Sequence, residues 1–127
     1  MSKIQNYFVK HVNKWPWGTS VTYIHPQGLA MASIGFDNQY PANGYITDII
    51  VHEKSRRMGL GKKLLHQALT AVKLSGRPYV ELKADKSKEW LVEWYKKEGF
   101  EITYTGDDDF YTMMKEMKDF PVEGLQK

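Results

Sequence analysis

The segment of this chain best suited to chemistry runs Val51-His-Glu-Lys-Ser-Arg56-Arg57-Met58-Gly59-Leu60-Gly61-Lys62-Lys-Leu-Leu65, between an apolar run ending in Val51 and an amphipathic run beginning near Leu60. A helix start leaves backbone N–H groups unpaired and carries a partial positive charge, so it attracts anions. Gly59 and Gly61 take away side chains that would hold phosphate oxygens off those N–H groups. Arg56 and Arg57 add full charges at the rim. Read from the residues alone, this is either a phosphate-binding turn or a tight strand-to-helix turn with solvated arginines. A dinucleotide fingerprint would need G-x-G-x-x-G/A directly after the strand. Here Leu64 occupies the third glycine position, and His52–Met58 separates strand from turn. A P-loop would need G-x-x-x-x-G-K-[ST], which the chain lacks.

Charge elsewhere narrows the choice. The net charge is only +3, yet Lys54, Arg56, Arg57, Lys62 and Lys63 crowd the glycine turn while Asp107-Asp108-Asp109 forms an acidic run. One anion-binding turn with an acidic loop elsewhere fits this better than a uniformly basic nucleic-acid binder, as does solvated charge on both segments. The chain has no cysteine, which excludes disulfides, thiolate metal sites and cysteine nucleophiles. His11, His25 and His66 stand at no metal-ligand spacing, so no metal is expected. No run approaches the ~20 apolar residues of a membrane span, and Met1–Asn6 lacks the apolar stretch of a signal peptide. The expectation is a cytoplasmic protein with neither a membrane nor a nucleic acid as partner.

The elements that must position the turn can be read from periodicity. A first strand is expected over Ile4–Val12, broken by Trp15-Pro16-Trp17-Gly18. Val21–Ile24 and Leu29–Phe36 read as a hairpin around His25-Pro-Gln-Gly28. Asp37–Gly44 is a polar loop, and Tyr45–Val51 a buried strand. Leu60, Leu64, Leu65, Ala68, Leu69 and Val72 then recur at helical spacing, stopped by Ser75-Gly76 and Pro78. Tyr79–Lys83 alternates as a strand. A second helix is expected over Ser87–Glu98, with Trp90, Leu91, Trp94 and Tyr95 on one face and Gly99 as its stop. Phe100–Thr105 and Phe110–Met117 complete a mixed α/β sheet with at least one parallel crossover. Met113, Met114 and Met117 read as core packing.

The glycine segment resembles the acyl-CoA-binding motif [RQ]-x-x-G-x-[GA] of the GNAT superfamily of N-acetyltransferases, with Arg56, Gly59 and Gly61 in its three defined positions. The strand ending in Val51 and the Leu64-Leu65 pair agree as well. Trp94-Tyr95-Lys-Lys-Glu-Gly99-Phe100 is similar to the family's second block, aromatic-Tyr-x-x-x-Gly-Phe, and the likeness extends from about Leu29 to Met117. It implies one GNAT-like α/β domain over residues 1–127, with a splayed, mainly antiparallel mixed sheet and flanking helices. The stretch ahead of the hairpin is short, so the paired helices that usually shape the acceptor pocket should be shortened or absent. The resemblance also implies acetyl-CoA as co-substrate and a small-molecule or peptide amine as acceptor, and leaves a homodimer open. Backbone groups of Ile49, Ile50 and Val51 would bond the pantetheine arm. The backbone from Arg56 through Arg57, Met58, Gly59, Leu60 and Gly61 to Lys62 would hold the pyrophosphate. Lys88 stands where many relatives carry an asparagine that touches the cofactor; it would reach a phosphate or remain solvated.

Acyl transfer from a thioester to an amine needs a deprotonated amine, a donor to the carbonyl oxygen and a proton for the leaving sulfur. An alkyl amine titrates at ~10.4 and a thiol at ~8.5, so at neutral pH a base and an acid are both useful. The resemblance places Tyr95 at the coenzyme sulfur as the acid; otherwise it is a buried aromatic with a satisfied hydroxyl. Asp48, on the strand beside the expected reacting centre, is the base candidate, acting directly or through water. Its shared parity with Ile46 and Ile50 argues for some burial, which suits a carboxylate to that work. Pairing with a cation is its alternative role, and His52, an imidazole, is a second base candidate. The function expected is direct acetyl transfer to a primary amine. A non-catalytic acyl-CoA-binding module and a small nucleic-acid-binding domain are the alternatives.

Overall fold

The computed structural model describes residue 5 and residues 7–121, without the side chain of Lys54. Seven strands form one sheet in the order β1-β2-β3-β4-β5-β7-β6. They are β1 Val9–Trp15, β2 Gly18–Ile24, β3 Ala30–Asp37, β4 Asn43–Val51, β5 Tyr79–Asp85, β6 Glu101–Tyr104 and β7 Phe110–Glu116, with a 3₁₀ helix Glu53–Met58, α1 Leu60–Leu74 and α2 Glu89–Lys97 between them. All neighbours are antiparallel except β4 and β5, which run parallel through the crossover made by α1. This is the mixed α/β sheet with a parallel crossover that the periodicity predicts, and it is mainly antiparallel as the family resemblance implies.

The beginning of the chain departs from expectation. The anticipated strand Ile4–Val12 is replaced by β1, and Ile4 itself lies outside the described residues. The strand runs on to Trp15 because Pro16-Trp17 serves as a two-residue turn, with Trp15 in register opposite Gly18. β1 thus passes into β2 with no helix between them. In the next turn His25 is buried and satisfied: the N–H of Gln27 donates to Nδ1 (3.1 Å), leaving Nε2 to donate to the Gln5 carbonyl (2.7 Å). It is a structural histidine.

Helix α1 forms because Leu60, Leu64, Leu65, Ala68, Leu69 and Val72 make one apolar stripe, and all six are buried. Each large side chain there contributes about 1.5–3 kcal/mol by leaving water. They meet Ile34 and Ile46 from the sheet, Val80 and Leu82 from β5, and Met113 and Met117, in one cluster. Helix α2 contributes Val92 and Tyr95 to the same cluster. Both helices therefore sit on one face of the sheet. α2 is shorter than Ser87–Glu98, and of the four residues expected on one face Tyr95 is buried whereas Trp90 is 59% exposed.

The start of β5 is tied to the β3–β4 loop by one side chain. Nη1 of Arg77 donates to the carbonyls of Asp37 (2.9 Å), Tyr40 (2.9 Å) and Asn43 (3.0 Å), and its guanidinium lies over the Phe36 ring at 5.3 Å. Charge-assisted hydrogen bonds of this kind are worth about 1.5–3 kcal/mol each when removal strands a partner. Arg77→Ala is accordingly expected to lower unfolding free energy by about 2 kcal/mol, read from urea denaturation. A loss below the scatter between replicates would mean that the three carbonyls are equally well served by water.

Candidate active site

The site begins with a parting of strands. β4 and β5 are in register only at Asn43↔Tyr79, Gly44↔Val80 and Tyr45↔Glu81. Beyond Tyr45 the strands diverge, and the carboxyl-terminal half of β4 keeps β3 as its sheet partner. In open α/β sheets the crevice beyond the carboxyl ends of parallel strands is where ligands bind. Within β4 the main-chain groups alternate between its two edges. The His52 N–H donates to Leu29 on the β3 side (2.7 Å), whereas the Val51 carbonyl accepts from Nε of Arg56 (3.3 Å). Alternation then turns the N–H and C=O of Ile49 and Val51 toward the cleft, and those of Ile50 toward β3.

A bulge decides where Asp48 points. Ser33 pairs with Asp48 but Ile34 pairs with Ile46, so Thr47 is the extra residue on β4. Ile46 faces the helices and is buried, whereas Asp48 and Ile50 point from the opposite face and are exposed. The expectation that Asp48 shares the parity and burial of Ile46 is corrected: one inserted residue reverses the alternation. Asp48 stands beside the cleft on its open side. His52 is exposed just past the end of β4.

On the helix side the cleft meets the start of α1. Gly59, at φ 76°, occupies the left-handed region that favours glycine, and it caps α1 without any side-chain hydrogen bond. The first N–H groups of the helix thus have no cap side chain competing for them. A Cβ on Gly61 would lie 3.5 Å from Val51 and 3.9 Å from Trp94, so any longer side chain would fill the space between β4 and α2. Arg56, Arg57, Met58 and Lys62 are exposed around this turn, and Leu60 is buried beneath it. Arg56 spans the mouth of the cleft, with Nε on the Val51 carbonyl and its guanidinium 5.6 Å from the Trp90 ring. Periodicity puts Trp90 on one helix face with Leu91, Trp94 and Tyr95; its place opposite a motif arginine emerges only when the two elements meet.

Tyr95 is buried on the inner face of α2, edge-on to Phe100 (5.6 Å) and tilted against Trp94 (5.3 Å). Among the described residues no hydrogen bond engages its hydroxyl. Desolvation pushes the phenol up to about 12, so it stays protonated throughout the neutral range. Lys88 is the exposed N-cap of α2, its N–H bonded to the Asp85 carbonyl (3.0 Å).

The acidic loop is less free than its composition suggests. Oδ1 of Asp107 accepts the N–H groups of Asp109 (2.8 Å) and Phe110 (3.0 Å), which hold its carboxyl below the usual carboxylate value. Lys86 ties the same loop down through the carbonyls of Thr105 and Asp107. Asp107 is turn chemistry, leaving Asp108 and Asp109 as exposed charge. A groove of about 820 Å³ lies between the β1–β2 hairpin and α1, lined among others by Lys10, Val12, Tyr23 and His66. No expected site residue lines it, and β3 separates it from the cleft. No cluster of three or more metal-ligating side chains occurs among the described residues, and none of the helices described is long and apolar enough to cross a membrane.

Comparison with known proteins bears on this geometry. The profile of the acetyltransferase (GNAT) family matches residues 7–100. GCN5-related N-acetyltransferase 6, chloroplastic, of Arabidopsis thaliana is 35% identical over 83 residues, which make up 60% of this chain and 29% of that protein. The chain thus covers less than a third of that relative's length. Ard1 from Thermoplasma volcanium superposes with a TM-score of 0.65 and 24% identity, over 81% of this chain and 72% of its own. The PaiA N-acetyltransferase from Thermoplasma acidophilum, solved in complex with coenzyme A, superposes with a TM-score of 0.65 and 16% identity, over 76% and 59%. These structures establish the shared fold.

The burial of Tyr95 has a measurable consequence at high pH. A phenol titrates at ~10 when unfolded and at about 12 here. Its contribution to stability is therefore complete below pH ~10 and is lost as pH rises toward the folded value. Tyr95→Phe should flatten the fall in Tm between pH ~10 and ~12. An unchanged slope would show that the phenol is not desolvated.

Proposed function

Because the chain belongs to the acetyltransferase (GNAT) family, we propose that it transfers an acetyl group from acetyl-CoA directly to the nitrogen of a primary amine, without a covalent enzyme intermediate. The observation that carries this reading is the cleft opened where β4 and β5 part, beside a helix start that has two glycines and no cap side chain. A slender arm fits between the strands, and a diphosphate fits the turn that a side chain longer than a methyl at Gly61 would fill. The coenzyme A in the Thermoplasma acidophilum structure supports the same ligand. When bound, the coenzyme supplies an acetyl group activated as a thioester.

The chain's own groups divide the remaining work. The backbone from Arg56 to Lys62, with the charges of Arg56 and Arg57, would hold the diphosphate; Lys88, at the start of α2, would meet a further phosphate. The cleft-facing main chain of Ile49 and Val51 would bond the arm, and one N–H there would polarise the carbonyl. Ile50, whose main chain faces β3, would contribute its exposed side chain. Asp48 would take the proton that the amine loses, directly or through water. In the net step one C–N bond forms and one C–S bond breaks, while one proton leaves nitrogen and one reaches sulfur. A phenol at about 12 is a weaker acid than a thiol at ~8.5. Tyr95 would therefore serve the departing sulfur chiefly as a hydrogen-bond donor, fully protonated from pH ~6 to ~9.

Two sets of variants test this reading. Gly61→Glu puts a carboxylate between Val51 and Trp94 and should abolish acetyl-CoA binding in calorimetry; unchanged affinity in the folded variant would refute the cofactor assignment. Tyr95→Phe keeps the ring and should leave that affinity nearly intact while lowering kcat by ~10²–10⁴-fold. Because the phenol does not titrate near neutrality, this deficit should be constant from pH ~6 to ~9. The Asp48→Asn deficit should instead shrink as pH rises toward the amine's own ~10.4. Full activity in Tyr95→Phe would leave the tyrosine a packing role. Binding of acetyl-CoA by the wild type without turnover on any amine would favour the binding-module alternative.

A further inference from the structure

The face of the sheet opposite the helices is covered by the stacked Trp15 and Trp17 over β2 and β3, and no element covers it from β4 to β6 among the described residues. Val21, Ile34, Ile46, Val80 and Met113 point into the core under α1 and α2, and alternation sends their neighbours the other way. Register then places Ser20, Gly35, Tyr45, Glu81, Met114 and Glu101 on one line across β2, β3, β4, β5, β7 and β6, with Trp15 bonded to Ser20 and Trp17 seated on Gly35, so that its open part runs from Tyr45 to Glu101. That open part spans about 14 Å at the usual strand spacing, the length of roughly four extended residues. It crosses from β4 to β5 at Tyr45↔Glu81, where the two strands are still paired and the cleft begins. One step further along the same face come Thr22, Ser33 and Asp48, with Thr22 and Ser33 hydrogen-bonded at 3.0 Å.

Charge on this face has one dominant sign. Asp37, Asp48, Glu81, Asp85, Glu101 and Glu116 share it with Lys83. Lys10 and Lys14 alternate onto the other face of β1, and Arg56, Arg57 and Lys62 surround the glycine turn. The acid-base division follows the sheet: basic toward the cofactor turn, acidic toward the open face. Burial first, and then the proximity of Glu81 and Asp37, raises the Tyr45 phenol above the ordinary value.

We infer that this open face docks a lysine-rich polypeptide segment, so that the acceptor amine is a lysine side chain of a basic protein and not a free small amine. This rests on the acetyl-transfer reading above. Small-molecule sites are concave and enclose their ligand; a line of strand side chains is extended and shallow, suited to an extended chain. A lysine laid at Tyr45 can run its aliphatic stem along β4 and carry its nitrogen to Asp48, the next residue on this face beyond the bulge. The remaining acids then face the other cations of the segment, the complementarity that steers charged partners together.

The test compares a lysine- and arginine-rich peptide with spermidine as acceptors for the intact protein, reading thiol release, and measures peptide binding separately by fluorescence anisotropy. The peptide should be the better acceptor by kcat/KM, and its KM should rise with salt. Glu81→Lys with Glu101→Lys should raise the peptide's Kd and KM about tenfold, the scale of a few reversed charge contacts. Lys14→Glu, on the other face, should not. Preference for spermidine, or a peptide Kd indifferent to the double reversal, would overturn the inference. So would a dimer in sedimentation that the reversal dissociates, since the face would then seat a second copy. Failure of acetyl-CoA to bind in calorimetry would overturn the acetyl-transfer reading instead, while anisotropy would still test the face.

Discussion

The parting of β4 from β5 is the constraint on which the site depends. A strand whose hydrogen-bonding edge lies open must satisfy its N–H and C=O groups by other means, because a desolvated, unpaired group costs about as much as a lost hydrogen bond. Ile49 and Val51 turn such groups into the cleft, and Arg56 already satisfies the Val51 carbonyl. The bulge at Thr47 belongs to the same event. An extra residue bends and twists the strand that holds it, and here it lies just beyond Tyr45, the last residue of β4 in register with β5. A strand that stayed flat and fully paired would leave no edge for a ligand and would turn Asp48 into the core.

The second dependency is electrostatic. Helix α1 starts at a left-handed glycine with no cap side chain, so its partial positive charge is directed at the cleft. Arg56 is held there by two dissimilar contacts, a carbonyl on β4 and the face of Trp90 on α2. A guanidinium suits this place because it can donate in its plane and stack on a ring at the same time. Each contact is modest, about 0.5–1 kcal/mol for an exposed cation–π pair. Their combined effect is positional: the charge is set across the mouth of the cleft and not released into solvent.

One-sided packing follows from the stripe on α1 and the two inward residues of α2. Because Val92 and Tyr95 join the cluster that Leu64 and Leu69 already occupy, both helices cover one face and leave the other to the strands' outward side chains, the acids among them. The same arrangement explains Tyr95. It is desolvated by Phe100 and Trp94 yet lies on the element that borders the cleft, so its hydroxyl is kept neutral by the core that positions it.

The sequence alone determined what depends on neighbours along the chain. The stripe Leu60–Val72, the turn at His25–Gly28, the stop at Gly99 and the pair Gly59 and Gly61 are local patterns, and each appears close to where periodicity or turn chemistry puts it. The glycine turn and the Trp94–Phe100 block were enough to indicate the family. Tertiary structure alone decided the rest. Asp48 could not be placed by counting alternate residues, because the bulge that reverses it depends on how β4 meets β3. Trp90 could be placed on a helix face with Leu91, Trp94 and Tyr95, but its environment is set by Arg56 from a different element. Asp107 read as free charge until the loop folded back to supply the two N–H groups it accepts. Periodicity records which side chains share a face of one element; which face meets a partner, and where two strands part, is decided by packing between elements distant in sequence.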